Sequence, residues 1–283
     1  MSRFGSLLSL AALAVLLLGG CAKPPSSQPQ LVSAYQPEPS LSTASIVPAS
    51  LSVHPAFQTG SLAGRTLEVA STEDLILRPG EVVLTFDDGP RPGKTEAILA
   101  TLDRFGVRAT FLMLGEAATR HPALARKVAA HGHTVGSHTY SHADLSTLSR
   151  QAAIDEIARG EDAVAAALSG SGDTMAPFFR FPYLSQTGFL RTSLGHSGAV
   201  VLDVDIDSKD YYRDSAEVVA ERTLQRLEAR GSGIILFHDI HQRTVDMLPG
   251  FLAELKARGY SVVRLVPRDT SIFGRDLITA GLM

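Results

Sequence analysis

Seven short runs of β-branched, aromatic and aliphatic residues recur along the chain, at 82–86 (VVLTF), 108–114, 133–138, 178–181, 199–205, 233–239 and 260–266. Several are apolar on nearly every position rather than on alternate ones, as strands of a sheet covered on both faces are. Between them lie segments with helical apolar spacing at 94–106, 121–132, 146–170, 214–231 and 244–259, each closing on a glycine suited to a helix C-cap. Strand and helix in alternation predict an α/β fold with a parallel sheet. Seven units favour a (β/α)7 barrel of the triosephosphate-isomerase type, distorted or incomplete, over an open doubly wound sheet. Neither GxGxxG nor a P-loop argues for the open sheet.

The first 71 residues read differently. Residues 1–20 carry Arg3, an apolar stretch over 7–18 and then small residues, the pattern of an export signal. That stretch is shorter than the ~20 apolar residues that span a bilayer. It ends in LLGGC, which resembles the lipobox of bacterial lipoproteins. The resemblance implies lipidation of Cys21, attachment to a membrane through acyl chains, and, with Ala22 and not Asp next, an outer-membrane protein facing the periplasm. Residues 21–71 are rich in Pro, Ser, Gln and Ala without sustained periodicity, and are read as a disordered tether; the folded domain is placed at 72–283.

Composition narrows the chemistry. Net charge is −3 with no cationic run, so the electrostatic footprint of a nucleic-acid binder is missing. Cys21 is the only cysteine, which excludes an internal disulfide framework and a thiolate metal cluster.

In a barrel of this kind, chemistry gathers at the C-terminal ends of the strands. The polar residues there are Asp87 and Asp88 after the first run, His138 and His142 after the third, Arg180 in the fourth, Asp205, Asp207 and Asp210 around and after the fifth, and His238 in the sixth. An adjacent acid pair before Gly-Pro could be no more than a turn, and a lone His-x-x-x-His is usually incidental; five such features converging on one mouth point to a site. Two imidazoles and one carboxylate suit Zn(II) or a similar divalent ion with a position left for water. The same triad serves non-haem iron oxygenases, so it does not settle the reaction. A second acid beside the metal and an imidazole from another strand favour hydrolysis. His131 and His133 sit at the helix-to-strand corner at the opposite end of the third run, which at about 3.3 Å per residue places His133 roughly 15 Å from His138. Like His121, His196 and His241, they are read as structural or surface residues.

The stretch from about Glu81 to Pro267 resembles the polysaccharide deacetylases, the NodB-homology or carbohydrate-esterase family 4 domain, with five motifs in order: TFDDGP, HTYSH, RFPY, DSKDY and LFH. The resemblance implies Asp87 as catalytic base and Asp88, His138 and His142 as ligands of a divalent metal, most simply Zn(II), with Co, Ni or Mn as alternatives. It implies that Arg180 orients the base, that Tyr183 offers its backbone N–H to the oxyanion after the N–H-less Pro182, and that Asp210 holds Arg180. Tyr211 would line the groove where the family usually has Trp. Leu236 would line the acetyl pocket and His238 act as general acid. Water would attack an acetamide carbonyl, Asp87 would take its proton and His238 would protonate the departing amine, freeing acetate from a GlcNAc-containing polysaccharide such as peptidoglycan, a chitin-like polymer or an exopolysaccharide. An O-acetyl esterase acting on xylan or another acetylated glycan is the alternative within the fold. A non-catalytic glycan-binding lipoprotein is the alternative outside enzymology.

Overall fold

The computed structural model describes residues 60–268. The segment read as an export signal, Cys21 and most of the segment read as a tether lie outside the described residues.

Nine strands form one sheet, parallel at every pairing: β1 (Ala63–Val69), β2 (Glu81–Asp87), β3 (Thr110–Met113), β4 (Thr134–Ser137), β5 (Phe178–Phe179), β6 (Val200–Val201), β7 (Ile206–Asp207), β8 (Gly233–His238) and β9 (Ser261–Pro267). Hydrogen bonding runs β6-β5-β4-β3-β2-β8-β7, a nearly closed barrel whose gap falls between β6 and β7. Seven helices cover it: α1 (Lys94–Phe105), α2 (Gly115–Arg120), α3 (Pro122–Ala130), α4 (Arg150–Leu168), α5 (Gly188–His196), α6 (Ala216–Arg230) and α7 (Gln242–Ala257). Every residue of β2 and β8 is buried, as in strands of a sheet covered on both faces. Phe86 of β2 stacks between Phe111 of β3 (5.0 Å) and Phe237 of β8 (5.8 Å), and Phe237 meets Phe251 of α7 edge-on. Each such side chain contributes roughly 1.5–3 kcal/mol on burial. Gly106 and Gly231 close α1 and α6 in the left-handed conformation, where a Cβ would be strained.

Two readings of the sequence are corrected. The tether does not extend to residue 71, because Ala63–Val69 is a strand paired with β9. Its side chains are mostly exposed, so it lacks an apolar signal; backbone hydrogen bonding to a strand distant in sequence makes it. The run at 199–205 is not one strand. Only Val200–Val201 and Ile206–Asp207 pair, because the acids between them turn to separate partners: Asp203 to Arg191 (2.7 Å) and Asp205 to Arg230 and the Ile234 N–H (2.9 Å). The last strand, β9, pairs with β1 and with the first residues of β2. Helices α2 and α5 were also not predicted; α5 starts where Thr187 Oγ1 accepts the Leu190 N–H (3.3 Å) and buries Leu190 and Leu194.

The barrel wall is tight at Gly136 on β4. A Cβ there would sit 2.3 Å from the Phe178 carbonyl oxygen and 2.7 Å from Leu112 Cδ2. Gly136→Ala is expected to destabilise by about 1–3 kcal/mol through overpacking, seen as a lower melting temperature with the site residues unchanged. An unaltered melting temperature would mean that β4 and β5 separate freely.

Candidate active site

The two acids at the end of β2 meet different surroundings. Asp87 is the last residue of the strand and 1% exposed. Asp88 takes a left-handed φ of 78° and leaves the ladder. Asp87 Oδ1 accepts from Arg180 Nη1 at 2.8 Å. The same Nη1 reaches Thr85 Oγ1 (2.8 Å), and Arg180 Nε donates to the Leu202 carbonyl (2.9 Å). Arg180 is itself 1% exposed, so its charge must be matched inside the protein, and Asp87 matches it. Burial pushes the Asp87 carboxyl above its ordinary range, and the Arg180 guanidinium opposes that shift.

Asp88 instead faces two imidazoles. Its Oδ1 lies 3.6 Å from His138 Nε2 and 3.5 Å from His142 Nε2, and one ligand atom from each of the three residues falls within 4.8 Å of the others. His138 follows β4 directly, and its Nδ1 bonds the Arg180 carbonyl (2.8 Å). That acceptor places the proton on Nδ1 and turns the Nε2 lone pair toward Asp88. Burial, opposed in part by Asp88, lowers the His138 pKa to about 3, so the ring is neutral, as a metal ligand must be. Asp88 Oδ1 is buried and has no hydrogen-bond partner among the described residues. An orphaned buried carboxylate oxygen facing two imidazoles fits a divalent cation.

His238 ends β8 and stands beside Asp87 in the parallel register of β2 and β8. Its Nδ1 meets Asp210 Oδ1 at 2.6 Å, its backbone N–H donates to Asp210 Oδ2 (2.8 Å), and Thr244 Oγ1 donates to that same oxygen (2.6 Å). This corrects the role expected of Asp210: it holds His238, while Asp87, Thr85 and the Leu202 carbonyl hold Arg180. Burial disfavours the imidazolium, but Asp210, with Asp88 and Asp87 beyond it, outweighs burial and raises the His238 pKa to about 9. His238 is therefore charged at neutral pH.

The remaining predicted residues ring this centre. Pro182 opens a 3₁₀ turn, Pro182–Leu184, in which Tyr183 adopts φ 57°. The turn's own bonds run from Leu184 N–H to Phe181 O and from Ser185 N–H to Pro182 O, one residue past Tyr183 and two. The Tyr183 ring is 68% exposed and meets His142 edge-on at 4.5 Å. Leu236 is buried on β8, two residues before His238. Tyr211 stands edge-on to His238 at 5.6 Å, and its hydroxyl donates to Asp207 Oδ2 (2.8 Å). Asp205 lies elsewhere, tied to Arg230 and Ile234.

His133 is structural as read: buried, it accepts the Ala109 N–H at 3.0 Å. His131 pairs with Asp103. His241, read as structural or surface and lying just beyond His238 in the chain, stands 5.8 Å from His238 between ring centroids. One residue went unnoticed. Asp239 is completely buried, accepts from Thr95 Oγ1 (2.6 Å), and lies so close to Gly89 that a Cβ there would fall 2.1 Å from its Oδ2. The only signal was its adjacency to His238, an acid directly after a site residue.

Residues 76–200 match the family model described as polysaccharide deacetylase. A chitin deacetylase of Colletotrichum lindemuthianum is 37% identical over 215 residues, covering 71% of this chain and 84% of that protein. A peptidoglycan-N-acetylglucosamine deacetylase, PgdA, of Listeria monocytogenes is 32% identical over 185 residues, covering 65% of this chain and 38% of that protein. Among solved structures, a peptidoglycan deacetylase of Bdellovibrio bacteriovorus superposes with a TM-score of 0.64 at 36% identity, over 76% of this chain and 59% of that one. With the relatives' sequence identity extending over most of the described barrel, this chain belongs to the polysaccharide deacetylase family.

Proposed function

We propose that this protein hydrolyses N-acetyl groups from a GlcNAc-containing polysaccharide. The observation that carries this reading is the placement of two opposed proton-transfer groups about one cation-binding cluster. Asp87, braced by Arg180, lies on one strand; His238, charged through Asp210, lies on the next; and Asp88, His138 and His142 lie beside them. Those three residues would hold the divalent ion, for which Zn(II) is our choice, given two imidazoles and a carboxylate. Bound there, the ion supplies Lewis-acid polarisation of the acetyl carbonyl and a lowered pKa for water.

The protein's own groups do the rest. Asp87 accepts the proton of the attacking water, and Arg180 keeps its carboxylate in one orientation. The Tyr183 N–H is offered to the developing oxyanion, since Pro182 has none. His238 Nε2 donates its proton to the departing amine while Asp210 holds Nδ1. Leu236 bounds the acetyl group, and Tyr211, pinned by Asp207, walls the groove. The names of the chitin and peptidoglycan deacetylases support an N-acetylated glycan as the substrate class. Acetate release measured in parallel on chitooligosaccharides, peptidoglycan and acetylated xylan tests it. Release from xylan alone would replace the reading with an esterase, and release from none would remove it.

We also propose that the enzyme is a lipoprotein anchored through Cys21 and facing the periplasm from the outer membrane, on the strength of LLGGC followed by Ala22. Among the described residues no helix is long and apolar enough to cross a membrane. Cys21→Ser is expected to release the protein from the membrane pellet or leave it unprocessed. Wild-type fractionation with a cleaved N-terminus would count against lipidation.

A further inference from the structure

The loop that carries both imidazoles, 138–142, is held from outside the metal cluster. Thr139 and His142 both take left-handed φ angles, 69° and 63°. For a β-branched residue that conformation persists only where its surroundings enforce it. One face of α4 supplies much of that enforcement. Glu156 Oε1 accepts from both the Ser141 N–H (2.5 Å) and the Ser141 hydroxyl (2.7 Å). The Arg159 guanidinium lies over the Tyr140 ring at 3.5 Å. Gly160 packs directly beneath the loop: a Cβ there would fall 2.3 Å from the Thr139 carbonyl carbon. Residues 156, 159 and 160 share one helical face. From the other side, the Gly115 and Glu116 N–H groups at the start of α2 donate to the Thr139 and Tyr140 carbonyls (2.9 and 3.0 Å).

We propose that Glu156 is a positioning residue of the metal centre: by clasping Ser141 from α4 it holds the loop's left-handed turn and so aims His142 at Asp88. The clasp acts where the loop needs it. His138 is anchored at its own backbone by the Met113 carbonyl (2.9 Å) and at its ring by the Arg180 carbonyl. Among the described residues the His142 N–H bonds within the loop alone, to Thr139 Oγ1 (3.2 Å). Ser141 immediately precedes it, and both of its donors end on one carboxylate oxygen that does not belong to the cluster. The sequence carries the pattern as Glu-x-x-Arg-Gly at residues 156–160, nearly two turns into α4.

The inference rests on reading Asp88, His138 and His142 as the metal ligands. It is tested on metal affinity and not on turnover. Full-length protein stripped with a chelator is titrated with Zn(II) against a chromophoric competitor, and the melting temperature of the stripped protein is recorded. Glu156→Ala is expected to weaken Zn(II) binding roughly 10- to 100-fold, as loss of an outer support to a ligand does. The stripped protein should melt close to wild type. Glu156→Gln keeps an oxygen that can accept both Ser141 donors and should stay within about threefold of wild type. Asp155→Ala, an exposed neighbour on the same helix, should not change affinity. Wild-type affinity in Glu156→Ala overturns the proposal. If that variant does not fold, Glu156→Asp, whose shorter side chain withdraws the acceptor from both Ser141 donors, takes its place: reduced affinity supports the clasp and wild-type affinity overturns it. Asp88→Ala separates the two readings. Unchanged Zn(II) binding there removes the metal assignment itself, whereas its loss beside an unaffected Glu156→Ala removes the clasp alone.

Discussion

Asp88→Ala is expected to abolish bound divalent metal and acetate release together, and His138→Ala to do the same, while Asp87→Asn keeps its metal and loses turnover by roughly 10²- to 10⁴-fold, the usual span for a lost general base. The split follows from the divergent surroundings of two adjacent carboxylates. Among the described residues Asp88 Oδ1 has no hydrogen-bond partner, and it faces both imidazoles, so removing it takes away one of the three donors. Asp87 is committed to Arg180. Asn at 87 retains an oxygen for Nη1, and Arg180 retains the Thr85 hydroxyl and the Leu202 carbonyl. Its own carbonyl can therefore go on holding His138 Nδ1, and the ligand set stays aimed. Elemental analysis and acetate release on the same preparations decide the matter. Stoichiometric metal in His138→Ala would refute the triad. Metal lost from Asp87→Asn would make Asp87 a ligand, through the Oδ2 that lies 3.9 Å from His138 Nε2.

The second large effect concerns the leaving group. An amine departs poorly unless protonated, whereas an activated aryl alkoxide hardly needs that help. His238→Ala should therefore suppress acetate release from N-acetylglucosamine oligomers far more than hydrolysis of an aryl acetate. The pH dependence has a definite sign. The acid works in its protonated form, and Asp210 raises the His238 pKa from 6.5 to about 9 in spite of burial. Activity on the amide should thus persist through neutral pH and fall as pH rises through about 9. Asp210→Asn removes the carboxylate that outweighs burial, so the alkaline limb should move to lower pH; in His238→Ala it should vanish. Equal loss of amide and aryl-ester activity in His238→Ala, with metal and fold intact, would make the residue structural or oxyanion-stabilising.

Much of the barrel was legible because it rests on local signals. Predominantly apolar runs marked β2, β3 and β8, and apolar helical spacing ending in glycine marked α1, α3, α4, α6 and α7 within a few residues. The site was legible for a related reason. Residues 87, 88, 138, 142, 180 and 238 each sit at or just after the C-terminal end of a strand, and parallel strands in a barrel bring such ends together. What failed had no local signature. β1 exposes most of its side chains and is a strand only because β9 lies alongside. The alternation at 199–205 reads as a strand until Arg191 and Arg230 claim its carboxylates.

The sequence by itself determined the parallel α/β architecture, the residues that reach the mouth and the family, since periodicity and motif spacing are properties of contiguous chain. It could not determine which group each residue faces. Only the fold decided that Asp210 braces His238 and not Arg180, that Asp87 and Asp88 diverge, and that Asp239 is buried against Gly89. Each of these pairings joins residues tens to more than a hundred positions apart or turns on one backbone angle, and short-range contact geometry in the packed barrel chooses among partners that the sequence leaves equivalent.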